Sequence, residues 1–273
     1  MHVRALDGEQ EIGLNEDAPV LLASVFKVPV ALELFRQAEA GELDAAERLR
    51  IAAETRSPGL EGISGMRDEV EMSLRDLAFL MLTISDNAAT DAVLARVGLD
   101  RVNETLRELG LTATELLNDC STGIQQFAHD LGFDSWDDLL RADLASLDFT
   151  AARMLRPERA NHSTPREQTK LLQLIWRDQA GPPAACAEVR RMMASQLERE
   201  RLASGFGPDV LISAKTGRLG NAVRNEIGVV EYPQGDKYAV AVFTRFDPNA
   251  APRGNVDQAI GAAAALAVEQ LRR

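Results

Sequence analysis

The sequence predicts an α/β protein of the α+β kind, in which one antiparallel sheet is built from both ends of the chain. β-branched and aromatic runs lie near the two termini, residues 24–200 have a helical period, and the last segment is an Ala-rich helix. Strands from both termini must meet in one sheet, so we expect a single domain over 1–273. The sheet is expected from about 1–23 and 205–273, and an inserted helical subdomain from about 24–204.

Strands are expected where β-branched and aromatic residues cluster between turn residues. The turn Asp7-Gly8 separates two such runs, which predicts an opening hairpin. Turn residues at 217–221 and 233–236 separate the later runs. The predicted strand segments are Val3–Leu6, Glu11–Leu14, Val210–Ala214, Glu226–Tyr232 and Tyr238–Phe246. The final segment, Val256–Arg273, has apolar residues at helical spacing and is expected to pack on the sheet.

Helices are expected in the middle of the chain, where start and stop signals are clear. The run Thr164–Glu167 offers a Thr cap, Pro at the first helical position, and Glu three residues after the cap. Another start signal opens the helical segment Ser73–Met81, and Gly98 and Gly110 predict helix ends. Residues 112–162 show no dominant pattern, so the sequence predicts no particular structure for them.

The composition is that of a globular chain with an acidic surface. Hydrophobic residues make up 45% and charged residues 26%, which argues against disorder, collagen-like repeats and coiled coil. Asp and Glu number 42 against 30 Lys and Arg, which gives a net charge of −12. Because such a surface repels phosphate groups, we expect no nucleic-acid partner and no membrane-surface partner.

Cysteine and histidine are too scarce for a disulfide framework or a zinc site. Cys120 and Cys186 are interpreted as two small buried hydrophobic residues rather than as a bonded pair. The three histidines, His2, His129 and His162, share no short spacing, so no metal is expected, and nothing in the sequence calls for a cofactor.

The N-terminus lacks the apolar core of a signal peptide, and no uncharged apolar stretch reaches the roughly 18 residues of a transmembrane helix. We therefore expect either a cytoplasmic protein or an exported one whose signal has been removed. The sequence leaves this choice open, together with the oligomeric state.

Three short motifs carry the chemistry of the sequence. In chain order they are Ser24-Val25-Phe26-Lys27, Ser85-Asp86-Asn87 and Lys215-Thr216-Gly217. Each of them alone is a weak signal, because such strings arise by chance in many chains. Their conjunction and order, and a fitting structural context for each, point to nucleophilic catalysis by a serine.

Ser24 is the candidate nucleophile, and Lys27 is the candidate group that activates it. Ser24 is expected at the cap of a helix, where unpaired N–H groups and the helix dipole favour negative charge on an attacked carbonyl oxygen. Lys27 is expected on the same side of the helix, among apolar neighbours that penalise its charged form. The alternative is a capping serine and a lysine whose ammonium reaches out to solvent.

The second and third motifs offer groups that could hold a substrate. Ser85 could pass a proton to a leaving nitrogen and Asn87 could bind a substrate amide; the alternative is a polar break between two helices, with Asp86 capping the second.

Lys215 and Thr216 would face an anionic group from the end of a strand, and the alternative is a charged turn. The backbone N–H of Arg218 could join that of Ser24 as an oxyanion donor, and losing one such donor typically costs about 10² to 10³ in rate.

On these motifs the chain resembles class A β-lactamases and other penicillin-recognising serine hydrolases, from about Val3 to its C-terminus. The matching strings are Leu-Leu-Ala-Ser-Val-Phe-Lys-Val, Thr-Ile-Ser-Asp-Asn-Ala-Ala-Thr-Asp, Ser-Thr-Pro-Arg-Glu and Ala-Lys-Thr-Gly. The resemblance implies a five-stranded antiparallel sheet flanked by helices, with the active site between the sheet and the helical subdomain.

The resemblance also implies roles for individual residues. Ser24 would be acylated, Lys27 would act as a base or proton relay, Ser85 would return the proton, and Asn87 would bind substrate. The substrate carboxylate would be bound by Lys215, Thr216 and Gly217 of the third motif. Arg224 stands at the spacing at which relatives place a carboxylate-anchoring arginine, and a salt bridge within the sheet is its rival role.

The sequence departs from the family pattern in the region expected to supply the deacylating residue. The family's Glu-x-x-Leu-Asn string is absent between Asn87 and Thr164, where the interval is enlarged. The interval holds five candidate carboxylates, among which the sequence does not choose: Glu115, Asp119, Asp143, Asp148 and Glu158. Arg56-Ser57-Pro58 also stands where relatives carry an aromatic residue at the mouth of the pocket.

The leading hypothesis is a metal-free serine hydrolase that hydrolyses small-molecule β-lactams through an acyl-enzyme on Ser24. One alternative is an esterase or D-amino-acid peptidase of the same fold with slow β-lactam turnover. Another is a non-catalytic β-lactam-binding sensor. Fold alone does not choose among them.

Overall fold

The structure is a computed structural model that describes residues 1–143, 147–220, 222–247, 249 and 255–273. Asn221, part of the turn predicted at 217–221, lies outside the described residues.

The described chain forms a five-stranded antiparallel sheet. Its strands are β1 (His2–Ala5), β2 (Glu11–Gly13), β7 (Leu211–Leu219), β8 (Val223–Glu231) and β9 (Lys237–Arg245). Their order in the sheet is β2-β1-β9-β8-β7. Two short strand pairs lie outside it: β3 (Val20–Leu21) with β6 (His162–Ser163), and β4 (Arg48–Ile51) with β5 (Val70–Ser73). Because β1 pairs with β9, the two ends of the chain do meet in one sheet, which confirms the predicted architecture.

The third predicted strand is longer than the sequence indicated. Residues 217–219 were expected in a turn, but they continue β7 and pair with β8, Arg218 opposite Arg224 and Leu219 opposite Val223. Gly217 remains paired with β8. The chain reverses only after Leu219, where the N–H of Ala222 donates to the Leu219 carbonyl at 3.1 Å. The third motif therefore lies inside an edge strand and not at its end.

Helices fill most of the chain between the first and the later strands, as the helical period predicted. Over the described residues they are α1 (Lys27–Glu39), α2 (Leu74–Thr83), α3 (Asn87–Val97), α4 (Leu99–Glu108), α5 (Cys120–Asp130), α6 (Trp136–Arg141), α7 (Pro165–Trp176), α8 (Pro183–Ala194) and α9 (Val256–Leu271). The antiparallel pair of β4 and β5 interrupts this region and was not predicted from the sequence.

The predicted helix boundaries agree with the local chemistry. The Thr164 side chain accepts the N–H of Glu167 at 3.2 Å and caps α7, and Ser73 caps α2. Gly98 ends α3 with φ 85°, and Gly110 follows α4 with φ 69°, a left-handed conformation that glycine adopts without strain.

Three hydrophobic clusters hold these elements together. The largest packs α1, α2, α3, α7 and α8 against one face of the sheet, and the second packs α9 against the other face. A third, smaller cluster lies under residues 112–162, the segment for which no particular structure was predicted. It includes Leu21, Phe127, Leu155 and Val223. The turn that enters α1 lies where the first and third clusters meet.

Cys120 and Cys186 are both buried and unbonded, which confirms their interpretation as small buried residues. None of the helices in the described ranges is long and apolar enough to cross a membrane.

Candidate active site

Ser24 lies on a single 3₁₀ turn, Ala23–Phe26, that leads into α1. It was expected to cap the helix, but Leu22 and Phe26 occupy the two cap positions, and Ser24 makes no capping hydrogen bond. The chain enters α1 through helical backbone angles, so a serine cap of extended conformation has no place here. The partly exposed Ser24 side chain faces a cavity instead.

The backbone just before Ser24 is strained and held from two sides. Ala23 has φ 46°, which a residue with a Cβ rarely adopts. The N–H of Leu22 donates to the Asn161 carbonyl at 2.9 Å. On the other side, the buried Asn225 amide of β8 donates to the Leu21 carbonyl at 2.7 Å. These bonds fix a conformation that the chain would not choose alone.

Lys27, the first residue of α1, is completely buried. Its Nζ donates to the Ser85 carbonyl at 2.6 Å, to the Ser85 hydroxyl at 3.3 Å and to the Asn87 amide oxygen at 2.8 Å. Burial lowers the pKa of Lys27, opposed by the nearby Cys120 and Asp91. The structure therefore joins the first motif to the second, and the buried position of Lys27 penalises its charged form.

The second motif forms the loop between α2 and α3. Ser85 has φ 63°, a second strained position at this site. Asp86 caps α3 by accepting the Ala89 N–H at 3.1 Å, as its alternative role predicted. The same carboxylate also accepts the Ile63 N–H at 2.6 Å and the Ser64 hydroxyl at 3.0 Å. It therefore fixes the wall of the cavity as well as the helix.

Asn87 bridges Lys27 and the mouth of the cavity. While its oxygen accepts from Lys27, its Nδ2 donates to the Pro58 carbonyl at 2.8 Å. Arg56, two residues before Pro58, does not line the cavity and donates to the carbonyls of Ile51, Ile63, Met66 and Asp68. These hydrogen bonds of Arg56 hold the loop that carries Pro58 in place. Arg56 therefore does not replace the aromatic residue of relatives.

The third motif brings a second buried lysine to the site. Lys215 on the edge strand β7 is 1% exposed, and its Nζ donates to the Thr216 carbonyl at 3.0 Å. Burial, and then the charge of Lys27, lower the pKa of Lys215 to about 7. The Thr216 N–H donates to the Gln196 side chain at 2.7 Å, and Gln196 donates in turn to Glu226 at 2.9 Å.

Gln196 and Glu226 were missed by the sequence analysis. Burial raises the pKa of Glu226 to about 7, against hydrogen bonds from Leu202 and Gln196 that lower it. A signal for Glu226 did exist, since it is an acidic residue inside an apolar strand. Gln196 gave no such signal, because it lies after the end of α8 in a polar stretch.

Gly217 explains how closely β7 approaches the nucleophile. A Cβ at Gly217 would lie 2.8 Å from the Leu22 carbonyl oxygen and 3.3 Å from the Ala23 Cβ. The strand and the turn of Ser24 are therefore in backbone contact, which places the N–H groups of Ser24 and Arg218 on neighbouring segments. Arg218 is exposed and lines the cavity.

Two further arginines lie behind β7 and β8. Arg201, which the sequence analysis missed, is 6% exposed and donates to the carbonyls of Gly217 at 3.2 Å and Asn225 at 2.8 Å. It also pairs with Asp257 at 2.8 Å. Arg224 donates to the Gly220 carbonyl at 2.7 Å and lies 4.0 Å from Asp257, so its position fits the salt-bridge role more than a direct place in the cavity.

These residues surround a cavity of about 330 Å³. Its polar wall contains the side chains of Ser24, Ser85, Asn87 and Thr216. Lys27 and Lys215 lie just behind that wall, with their amines bonded to Ser85, Asn87 and Thr216. The three motifs, distant in sequence, therefore lie around one cavity.

Of the five candidate deacylating carboxylates, Asp119 lines the cavity. Its Oδ1 accepts the Thr122 N–H at 2.7 Å, so it serves as the cap of α5. Asp148 is engaged with Thr150 and Asn249, and Glu115 forms a backbone bridge with His162. Glu158 and Asp143 do not line the cavity in the described structure.

Two other carboxylates, those of Glu61 and Glu198, line the cavity. Cys120, the first residue of α5, also lines the cavity and lies near Lys27. Burial raises the pKa of its thiol to about 12. The partly buried Asp91 of α3 holds this helix end by accepting the N–H groups of Cys120 and Ser121, each at 2.8 Å.

Comparisons with known proteins identify a family and a curated relative for this chain. A family model described as the beta-lactamase enzyme family matches residues 1–271. The beta-lactamase regulatory protein BlaB of Streptomyces cacaoi is 33% identical over 263 residues, which cover 89% of this chain and 82% of that protein.

Solved structures agree with the fold. A β-lactamase from Sphaerobacter thermophilus superposes with a TM-score of 0.78 and 26% identity, over 99% of this chain and 90% of that one. PBP-A superposes with a TM-score of 0.77 and 21% identity, over 98% of this chain and 89% of the other, which is a likeness of fold.

Proposed function

The chain belongs to the beta-lactamase enzyme family, and from that premise we propose that it is a serine hydrolase that opens β-lactams by forming an acyl-enzyme on Ser24. One observation carries the proposal. A completely buried lysine of the first motif is bonded to the serine and the asparagine of the second motif, beside a cavity that Ser24 lines.

The acylation step uses the groups on the polar wall. The Ser24 oxygen forms a bond to the lactam carbonyl carbon while its proton passes to Lys27, whose pKa is lowered by burial and which accepts the proton in its free-amine form. The N–H groups of Ser24 and Arg218 stabilise the oxyanion. The carbon–nitrogen bond then breaks, and Ser85, bonded to Lys27, returns the proton to the leaving nitrogen.

The substrate carboxylate completes the binding arrangement in this proposal. Lys215 and Thr216 supply positive charge and hydrogen-bond donors on β7, and Asn87 supplies an amide opposite them. Arg224 supports this arrangement indirectly: it donates a hydrogen bond to the Gly220 carbonyl from behind the strand and does not contact the substrate itself.

Deacylation is the step for which the site is poorly equipped. Asp119 is committed to capping α5, and the group beside Lys27 at the start of that helix is the thiol of Cys120. Because its pKa is raised to about 12, this thiol is protonated at neutral pH and does not activate water. Glu61 and Glu198 also line the cavity, but among the described residues neither carboxylate is hydrogen-bonded to Ser24 or Lys27. We therefore propose that the acyl-enzyme is long-lived.

A second candidate function follows from that long lifetime. A protein that is acylated quickly and released slowly can report the presence of a β-lactam, and the Streptomyces cacaoi relative carries the name of a regulatory protein. In this alternative the same Ser24 chemistry serves signalling, and turnover has no role.

The test is to incubate the protein with benzylpenicillin and with nitrocefin and to follow intact mass and absorbance. Ser24→Ala should abolish the adduct, whereas the matched control Ser195→Ala, whose hydroxyl bonds to the Arg191 carbonyl outside the cavity, should not. Adduct with steady turnover supports the hydrolase, and adduct without turnover supports the sensor. Fast hydrolysis of small acyl esters beside a persistent adduct would favour the esterase or peptidase alternative. Absence of an adduct in the wild type, or its persistence in Ser24→Ala, refutes the proposal.

A further inference from the structure

A chain of hydrogen bonds runs behind the third motif and joins two backbone donors through two side chains. At one end the N–H of Thr216 on the edge strand β7 donates to Gln196 Oε1 at 2.7 Å. Gln196 Nε2 donates in turn to Glu226 Oε1 at 2.9 Å. At the other end the N–H of Leu202 donates to Glu226 Oε2. All four residues are at most 5% exposed, so these groups depend on one another for their hydrogen bonds.

The two ends of this chain restrict which side chains can stand between them. Both end groups are donors, whereas a side-chain amide has one donor end and one acceptor end. Two amides in series between two donors therefore leave a donor facing a donor at one junction. A carboxylate accepts on both of its oxygens, so one carboxylate among the two links satisfies every junction. A protonated Glu226 carries a donor as an amide does, and the observed arrangement therefore requires its ionised form.

The surroundings of Glu226 support its charge in part. Burial raises the pKa of Glu226 to about 7, opposed by the two hydrogen bonds that it accepts and by the charge of Arg201. Glu198, on the same segment as Arg201, acts in the opposite direction, and the register partner on β9 is the uncharged Val242. The negative charge of Glu226 in turn raises the pKa of Lys215 on β7. Near neutral pH both forms of Glu226 are thus populated, and the ionised form completes the chain of hydrogen bonds.

The Thr216 end of the chain is the end that can move. The N–H groups on the outer side of an edge strand have no neighbouring strand to bind, whereas Leu202 is completely buried in the second hydrophobic cluster. Thr216 immediately precedes Gly217, whose backbone touches the turn of Ser24. The next N–H along the strand is that of Arg218, the second proposed oxyanion donor. Loss of the Thr216 hydrogen bond therefore displaces the part of β7 that faces the reacting carbonyl.

We propose that Glu226 is a positioning residue for the acylation of Ser24: its carboxylate orients the Gln196 amide, and that amide holds β7 at Thr216. The inference deepens the proposed function and rests on it for the reaction that is affected. Glu226 makes no contact with the substrate in this proposal. The chain requires one carboxylate, and either of its two side-chain positions can carry it.

The test moves the carboxylate along the chain. Glu226→Gln places two amides in series and leaves one donor unpaired. The double variant Gln196→Glu with Glu226→Gln again has one carboxylate, now next to Thr216, and closes the chain. In rapid-quench intact-mass assays with benzylpenicillin, Glu226→Gln should be acylated at least about tenfold more slowly, because a misplacement of about 1 Å can cost about 100-fold in rate. The double variant should recover most of that loss.

The matched control is Glu33→Gln, which makes the same chemical change at another buried carboxylate. Glu33 on α1 is 2% exposed and accepts from the Gln37 amide at 2.7 Å and from the Thr105 hydroxyl at 2.6 Å. It does not line the cavity in the described structure. Glu33→Gln should therefore lose stability in urea and yet be acylated at the wild-type rate.

Hydrogen exchange of the Thr216 N–H, measured by NMR, tests the chain without any acylation. Glu226→Gln should accelerate this exchange at least about tenfold, because the N–H loses its acceptor, and the double variant should slow it again. Glu33→Gln should leave it slow. If Glu226→Gln does not fold, Gln196→Met takes its place, since it removes the acceptor of the Thr216 N–H and retains Glu226; it should give the same two effects.

Wild-type acylation and slow Thr216 exchange in Glu226→Gln, or in Gln196→Met where it replaces that variant, would overturn the inference. A double variant that does not fold, or that is acylated no faster than Glu226→Gln, would overturn it too, as would an equal loss of acylation in Glu33→Gln. If the Thr216 exchange behaves as expected but the wild type forms no adduct with benzylpenicillin, the hydrogen-bond chain stands and the proposed acylation fails.

Discussion

The protonation state of Lys215 gives the sharpest prediction. Burial and the charge of Lys27 place its pKa at about 7, so half of the molecules carry a neutral Lys215 near neutral pH. A substrate carboxylate is attracted by the ammonium form only. We therefore expect the acylation of anionic substrates to decline as the pH rises above about 7, in addition to any effect of Lys27.

A ratio of two acylation rate constants isolates the effect of Lys215 from that of Lys27. Lys27 must act on anionic and uncharged substrates alike, so its titration cancels in the ratio of the acylation rate constants of benzylpenicillin and its methyl ester. Half of the Lys215 side chains are protonated at about pH 7, and well above that pH the protonated fraction falls about tenfold for each pH unit. The ratio should therefore be nearly constant below about pH 6 and fall about fiftyfold between about pH 7 and about pH 9.

The assay is a rapid-quench measurement of the acylated fraction by intact mass from pH 6 to pH 9. Lys215→Met should give a low ratio that no longer depends on pH. A wild-type ratio that is flat across this range, or a Lys215→Met ratio that still titrates, would refute the assignment of the carboxylate to Lys215.

Stability provides an independent check with a definite sign. The folded state holds the pKa of Lys215 at about 7, below the 10.5 of an ordinary lysine, so between these values the unfolded chain binds more protons. The free energy of unfolding should therefore rise with pH over this window, relative to Lys215→Met. The displacement of the pKa corresponds to about 5 kcal/mol, and urea unfolding of both proteins at pH 7 and pH 9 measures the part expressed there.

Three further substitutions have clear expected outcomes. Gly217→Ala places a methyl 2.8 Å from the Leu22 carbonyl oxygen, so the strand must retreat from the turn of Ser24, and the acylation rate should fall about 100-fold in stopped-flow assays; a near-normal rate would contradict the shared oxyanion site. Cys120→Glu puts a carboxylate beside Lys27 and should shorten the lifetime of the acyl-enzyme at least tenfold by intact mass, whereas the control Cys120→Ser should not. Gly261→Ala drives a methyl into the backbone facing α9 and should lower the free energy of unfolding by about 1–3 kcal/mol in urea, whereas a neutral effect would mean that α9 can shift.

The parts of the fold that the sequence predicted well are those governed by local rules. The caps at Ser73 and Thr164 and the ends at Gly98 and Gly110 depend on a few neighbouring atoms, and all four were confirmed. The meeting of the two chain ends was also predictable, because amphipathic strands at both termini have to bury one face each.

The errors arose where pairing between distant segments overrode a local preference. Gly217 and its neighbours carry turn residues, yet the ladder to β8 keeps them extended. Serine is a common helix cap, yet hydrogen bonds with Asn161 and Asn225 hold the backbone before Ser24. The chain enters a 3₁₀ turn there, and this turn leaves no cap position for Ser24. In each case the deciding contact lies at least 130 residues away or on another strand, which a local pattern does not encode.

The candidate site divides in the same way. The three motifs are contiguous strings, so the sequence revealed them, but the groups that support them are scattered. Gln196 and Arg201 act on the backbone of β7, and Trp136 and Met154 reach the cavity only because their poorly patterned segment folds over the third cluster. None of these residues belongs to a string that signals its role.

The two buried lysines together give the site its character. Within the described residues no carboxylate lies within 4.0 Å of either amine, and their hydrogen-bond acceptors are uncharged. A buried cation without a close counter-ion is costly, and burial lowers the pKa of both lysines accordingly. An anionic ligand would remove that cost and raise the pKa of Lys215. In the proposed function a substrate carboxylate would therefore be favoured at Lys215, because it would bring a negative charge closer than 4.0 Å to an amine that no carboxylate of the described residues approaches so closely.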